Sequence, residues 1–312
     1  MQRYNLQSSL LFILGTAVAL LTSATSSAIA AEYVESVEYG PLTIPMTWNA
    51  QASVFTVDVN IGNTNLKLIV DSGSSNQVIN DSTARLLGID TSKLPEVGKG
   101  KDHAGNPVPI KVLAMLHASM ASHEVTLNNV VIIPDNPDMS KLGIAGVISP
   151  QLLFDNPIQL DFAHQKWVVN PKTKPFVLEK TSKAYWYKKN KIFTEITAET
   201  RAPVLAMLDT GSGTTKFEAD YLGRSLKEMD CAVRGVAGCG KGQRDDTPTR
   251  ISFAGKELTL ASVVLQKEIR HSDKTDERAL IGMSILRFCS ITINHRLDEQ
   301  IGIACMNELP KN

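Results

Sequence analysis

Charge of one sign is what this sequence most conspicuously lacks: 32 Lys and Arg stand against 32 Asp and Glu among 312 residues, a formal net charge of zero. Without a global basic field the chain is poorly suited to nucleic acid or an anionic membrane surface. The one basic and aromatic cluster, Lys183, Lys188, Lys189 and Lys191 with Tyr185, Trp186 and Tyr187, therefore reads as an amphipathic strand rather than a base-stacking platform. Long apolar runs are also scarce. The longest, residues 10–21, is shorter than the roughly 20 residues a spanning helix needs. It follows Arg3 and leads into Ala28-Ile29-Ala30, a small-x-small site, so residues 1–30 read as a removable secretion signal and no membrane span is expected after its loss. Removing Arg3 leaves one excess acid, and the exclusion of nucleic acid holds.

Several catalytic signatures are missing too. His117 and His123 lie six apart and Glu124 does not complete a His-Glu-x-x-His zinc site, and no Gly-x-Ser-x-Gly elbow occurs. Neither a metal nor another cofactor is expected. Cysteine is limited to Cys231, Cys239, Cys289 and Cys305, with no Cys-x-x-Cys spacing. An even number in a chain bound for an oxidising compartment favours disulfides. Of the three connectivities, the sequence points to Cys289–Cys305, symmetric about a terminal hairpin, and Cys231–Cys239, closing a short glycine-containing loop.

The sequence is rich in internal repetition. An apolar run followed by Asp-(Ser/Thr)-Gly-Ser occurs twice, at Leu68-Ile69-Val70-Asp71-Ser72-Gly73-Ser74 and Ala206-Met207-Leu208-Asp209-Thr210-Gly211-Ser212, 138 residues apart. Each copy continues into a short helix-like segment, the first with Asp81 as expected N-cap and Gly88 as stop. Each then reaches an apolar-Gly-apolar stretch, with Gly146 lying 75 residues after Asp71 and Gly282 lying 73 after Asp209. Both copies close on a β-hairpin pattern, at 158–169 and 290–303. The length allows two cores, and the polar stretch 170–175 is the natural linker. The expected organisation is a signal at 1–30, a first lobe at 31–172 and a second lobe at 173–312.

An Asp at the end of a strand, followed by a small hydroxyl residue and Gly, presents a carboxylate with room for a second copy opposite. Gly73 and Gly211 permit close approach and offer N–H donors, and Ser74 and Ser212 are expected to bond the outer carboxylate oxygens. Two such carboxyls meeting across a pseudo-twofold axis cannot both ionise easily. The pair then shares a proton and can activate a water while protonating a carbonyl oxygen. That chemistry is peptide hydrolysis without metal or covalent intermediate.

On these residues, with Ile61-Gly62 ahead of the first motif and Leu280-Ile281-Gly282 behind the second, the chain resembles the pepsin-like aspartic proteases and, more broadly, the clan that includes the retroviral proteases. The stretch from Val78-Ile79-Asn80 to Leu87-Gly88-Ile89 is similar to bacterial retropepsin-type domains. The resemblance implies an all-β, bilobal acid protease fold of two homologous barrel-like lobes. It also implies Asp71 and Asp209 as the catalytic pair, and Ser72 and Thr210 as a hydrogen-bonded grip between the active-site loops. An extended peptide or protein substrate would lie between the lobes of a monomer. The family's flap Tyr and its Trp partner have no counterpart between Asp71 and Gly146. The matching flap hairpin is expected at 98–108, with His103 and Gly105 at its tip. The segment between Ala31 and Phe55 is short for an inhibitory prosegment. The expected function is a periplasmic or secreted aspartic endopeptidase. The alternatives are a processing protease for one partner protein and a non-catalytic binding or inhibitor protein of the same fold.

Overall fold

The computed structural model describes residues 42–101, 107–153, 156–170, 186–188, 191–227, 229–235, 238–269, 276–294 and 300–306. The expected signal, most of the linker, and the flap tip with His103 and Gly105 lie outside the described residues. The fold is all-β, as the alternating patterns predict. Strand Val54–Ile61, for example, buries alternate residues through its second half. It turns through Gly62, at φ +57°, into Thr64–Val70, with Ile61 opposite Thr64. A positive φ at the first position of a two-residue hairpin loop favours glycine.

The first copy of the repeat builds an eight-stranded sheet. Its inner part runs Val54–Ile61, Thr64–Val70, Ile144–Ile148, Val78–Asn80, His123–Ile133, Pro107–Met120. An Asn60 to Ser119 pairing closes these strands into a barrel. The strand before Asp71 runs parallel to Ile144–Ile148, which is antiparallel to Val78–Asn80, which in turn is parallel to His123–Ile133. The second copy repeats that order and those directions in Val204–Leu208, Glu277–Ile281, Lys216–Glu218 and Val263–Gln266. Every residue of Val204–Leu208 is buried, as expected for a strand covered on both faces.

A third sheet joins the ends of the two copies, in the order Leu42–Pro45, Lys166–Val169, Ile158–Asp161, Cys289–Asn294, Gln300–Cys305. It contains both predicted closing hairpins and draws in a strand from residues before the first copy. Cys289 lies opposite Cys305 and the two are disulfide-bonded, as expected. Cys231 and Cys239 lie on the paired strands Met229–Gly235 and Gly238–Asp245, and their side chains are outside the described residues. Beneath the sheets Phe162, Trp167, Phe193, Phe217 and Phe253 are buried almost completely. Each such side chain contributes about 1.5–3 kcal/mol by leaving water.

Two local expectations are corrected. The helix Asp81–Leu86 is capped by Asn80, whose side chain accepts from the Thr83 N–H, and Asp81 falls in the first turn, where its charge faces the positive end of the helix. The two landmark glycines are not equivalent. Gly146 is inside its strand, opposite Leu68, whereas Gly282 comes one residue after Ile281 and matches Ser149 of the first copy. No helix among the described residues is long and apolar enough to cross a membrane.

Candidate active site

Each motif aspartate follows the last residue of a strand and is pinned there by its parallel neighbour. The Asp71 N–H donates to the Ile148 carbonyl and the Asp209 N–H to the Ile281 carbonyl, both at 2.9 Å. The chain then turns sharply, so that the Gly73 N–H donates to Asp71 Oδ1 at 2.7 Å and the Gly211 N–H to Asp209 Oδ1 at 3.0 Å. The two turns face each other. A Cβ on Gly73 would lie 2.7 Å from Asp209 Cγ, and one on Gly211 would lie 2.4 Å from Asp71 Cγ. Only glycine allows each backbone this close to the opposite carboxyl.

Ser72 and Thr210, both fully buried, cross-link the turns with a twofold pattern. The Ser72 N–H donates to Thr210 Oγ1 at 2.9 Å and the Thr210 N–H to Ser72 Oγ at 3.2 Å. Ser72 Oγ donates to the Leu208 carbonyl at 2.9 Å, and Thr210 Oγ1 to the Val70 carbonyl at 2.7 Å. Thus each hydroxyl satisfies one backbone donor and one backbone acceptor of the other copy, which leaves no buried polar group unpaired there.

Asp71 is 6% exposed. Burial, and next the charge of Asp209, hold its carboxyl well above the ordinary 3.8, and a hydrogen bond between the two carboxyls acts in the same direction. A carboxyl pair joined by a hydrogen bond holds one proton between its members. Such a pair can take a proton from water with one member and give one to a carbonyl oxygen with the other.

Ser74 and Ser212 depart from expectation. Their hydroxyls turn back to the chain, donating to the Asn76 carbonyl at 2.7 Å and the Thr214 carbonyl at 3.0 Å. Each closes a local turn, which a freely rotating hydroxyl does readily, so carboxylate support comes from backbone N–H groups: those of Gly73 and Ser74 at Asp71, and that of Gly211 at Asp209. A hairpin forms at the place expected for one, between Glu96–Lys101 and Pro107–Met120, with Lys101 opposite Pro107.

Sequence reading missed the braces behind each turn. Gln77 accepts from the Ser149 N–H at 2.8 Å and donates to the Ser149 carbonyl at 3.1 Å. Gln151 Nε2 donates to the Ser72 and Ser74 carbonyls at 3.0 and 3.2 Å. In the second copy Thr215 Oγ1 accepts from the Gly282 N–H at 3.2 Å and bonds Ser284 Oγ at 2.8 Å. A polar residue six positions after each aspartate was the available signal. Beside Gly211 opens a cleft of about 370 Å³, walled by Ala52, Val54, Ile69, Met139, Leu142 and Ile144, with the exposed ion pair Asp138–Lys141 alongside.

The family model described as aspartyl protease matches residues 57–146. The matched segment starts in Val54–Ile61, the strand before the one that leads to Asp71, and ends at Gly146, so it holds the first motif and not the second. No curated protein matches the chain.

Proposed function

We propose that this chain, with its aspartyl protease relationship, is a periplasmic or secreted aspartic endopeptidase whose catalytic dyad is Asp71 and Asp209. The observation that carries the reading is the reciprocal framing of the two carboxyls: each accepts from its own glycine N–H and faces the glycine of the other copy. A water bound between the carboxyls loses a proton to the ionised member and attacks the peptide carbonyl. The protonated member delivers its proton to the carbonyl oxygen; the proton taken from water then passes to the leaving nitrogen, a diol hydroxyl returns its proton to the other carboxylate, and the tetrahedral intermediate collapses to acid and amine. The crossed Ser72 and Thr210 bonds keep the two carboxyls in register during these transfers. The substrate lies extended between the two lobes, with an apolar side chain in the cleft beside Gly211 and the hairpin Glu96–Lys101 and Pro107–Met120 as the flap. A monomer is sufficient, since one chain supplies both aspartates. Export is supported by the apolar run at 10–21 with its small-x-small site, and by the Cys289–Cys305 disulfide.

The purified protein, incubated with an unfolded polypeptide across about pH 3 to 7, is expected to cleave it with a bell-shaped pH profile. Asp71→Asn is expected to lower kcat/KM by at least about 1,000-fold, and a pepstatin-type analogue to block cleavage. Binding of the analogue without cleavage of generic substrates would favour a processing protease for one partner. Neither binding nor cleavage would favour a non-catalytic member of the fold.

A further inference from the structure

Outside the dyad, one matched position carries a charge in only one of the two copies of the repeat. Val78 lies seven residues after Asp71 and Lys216 seven after Asp209. Their strand partners correspond: Val78 sits opposite Val147, and Lys216 opposite Leu280. Val147 and Leu280 themselves match, since they pair with Ile69 and Met207, each two residues before its aspartate. Directly opposed residues share one face of a sheet, so Val78 and Lys216 occupy equivalent places.

On the first copy that place adjoins an apolar cluster of Val54, Ile69, Met139, Ile144 and Val147, against which Val78 packs. Four of these residues wall the cleft beside Gly211. The corresponding cluster on the second copy is Phe193, Leu205, Met207, Ile269 and Leu280. There the branched apolar side chain is replaced by a half-buried lysine, for which no ion pair or hydrogen bond is found among the described residues. An unpaired, partly desolvated cation beside a binding site costs stability unless a ligand supplies the counter-charge.

We infer that Lys216 is a specificity-determining residue, and that the side chain of the substrate lying on the second-copy cluster carries a carboxylate. The inference rests on the protease reading. It makes the two sides of the cleft chemically unlike: an apolar residue is taken beside Gly211, and Glu or Asp is taken over Met207 and Leu280, where the lysine ammonium meets it. Electrostatics agree with the placement. Burial draws the Lys216 ammonium below its ordinary range, while the charges of Asp209 and Asp71 oppose that shift. Its neighbours on the same face, Glu218 and Arg278, are already paired with each other at 2.7 Å, which leaves the lysine available.

The test uses fluorogenic peptides that differ only in carrying Glu, Gln or Lys at successive positions around the scissile bond. A matching non-cleavable set carries a hydroxyl-bearing isostere at that bond and is read by calorimetry. At one position the full-length protein is expected to prefer Glu by about tenfold or more in kcat/KM and in Kd. Lys216→Val, which installs the first copy's residue, is expected to erase the ratio, and Lys216→Glu to favour Lys over Gln at that position. Lys216→Met keeps the unbranched stem and is expected to erase the ratio as well, which separates charge from packing. Cleavage with no acidic preference, or a preference that survives in the Val and Met variants, overturns the inference and leaves the protease reading intact. Glu-selective binding of the isostere set without cleavage upholds the carboxylate site at Lys216 and removes only catalysis, leaving a non-catalytic binding protein of the same fold. Absence of both binding and cleavage removes both.

Discussion

The fold holds the Asp71 carboxyl toward its protonated form, and this direction gives a sign that can be checked. The folded chain disfavours its ionised form, chiefly through burial and then through the charge of Asp209. Its contribution to stability is therefore fully present below the ordinary 3.8 and is lost as pH rises through the raised folded value. Asp71→Asn cannot ionise. It is expected to match the wild type in Tm at about pH 3 and to exceed it at about pH 7. A variant less stable than the wild type at the higher pH would show that the ionised carboxyl is stabilised in the fold. At this scale the doubled motif made Asp71, Ser72, Gly73, Asp209, Thr210 and Gly211 legible, because a repeated short pattern reports a repeated backbone demand. The directions of the Ser74 and Ser212 hydroxyls were not legible, since a rotatable hydroxyl chooses among nearby acceptors only once the turn exists. Lys216 was invisible as a site residue for a related reason: its place follows from strand register, and no local motif marks it.

Between strands, the crossed bonds of Ser72 and Thr210 are the most demanding feature of the arrangement. Thr210→Val removes the hydroxyl that serves both the Ser72 N–H and the Val70 carbonyl, and it strands both groups in a fully buried place. Each unpaired group costs about 1–3 kcal/mol, so a loss of roughly 2–6 kcal/mol is expected in urea unfolding. A fall in kcat/KM should accompany it as the two aspartates lose register. Thr210→Ser retains the hydroxyl and is expected to lose under about 1 kcal/mol; equal losses in the two variants would assign the effect to packing. Strand patterns, the closing hairpins and the existence of the short helix after Asp71 were readable from alternation and the stop at Gly88, whereas its cap, Asn80, was assigned one residue late. The glycine pairing was misread for a physical reason. A Cβ at Gly146 would meet the Val78 carbonyl at 2.0 Å, and one at Gly282 the Thr214 carbonyl at 2.2 Å. Both positions exclude a side chain, but they do so against different segments, and unequal loops brought their sequence spacings close together.

Across the whole molecule, the repeat announced two similar sheets, while the third sheet was legible only in pieces. Its hairpins were expected, but the strand Leu42–Pro45 belongs to the segment between Ala31 and Phe55, of which the sequence said only that it is short for an inhibitory prosegment, and nothing local predicts its partner Lys166–Val169. The third sheet joins the copies through the pairing of Ile158–Asp161 with Cys289–Asn294, and the disulfide ties its outermost strand to that junction. Replacing Cys289 and Cys305 together by Ala opens a loop with a sequence separation of 16, for which chain entropy predicts a cost of about 3 kcal/mol. If that strand unfolds with the rest, the cost moves the entire transition. A single thermal transition, lower by about 5–10 °C, is then expected in calorimetry. An additional early transition, with the main one unmoved, would mean that the terminal hairpin frays independently and that the dyad is held by the Ser72 and Thr210 bonds alone. Activity decides the consequence for the site: under cooperative coupling the double variant loses cleavage at the same temperature at which it unfolds, whereas independent fraying leaves cleavage intact beyond the first transition.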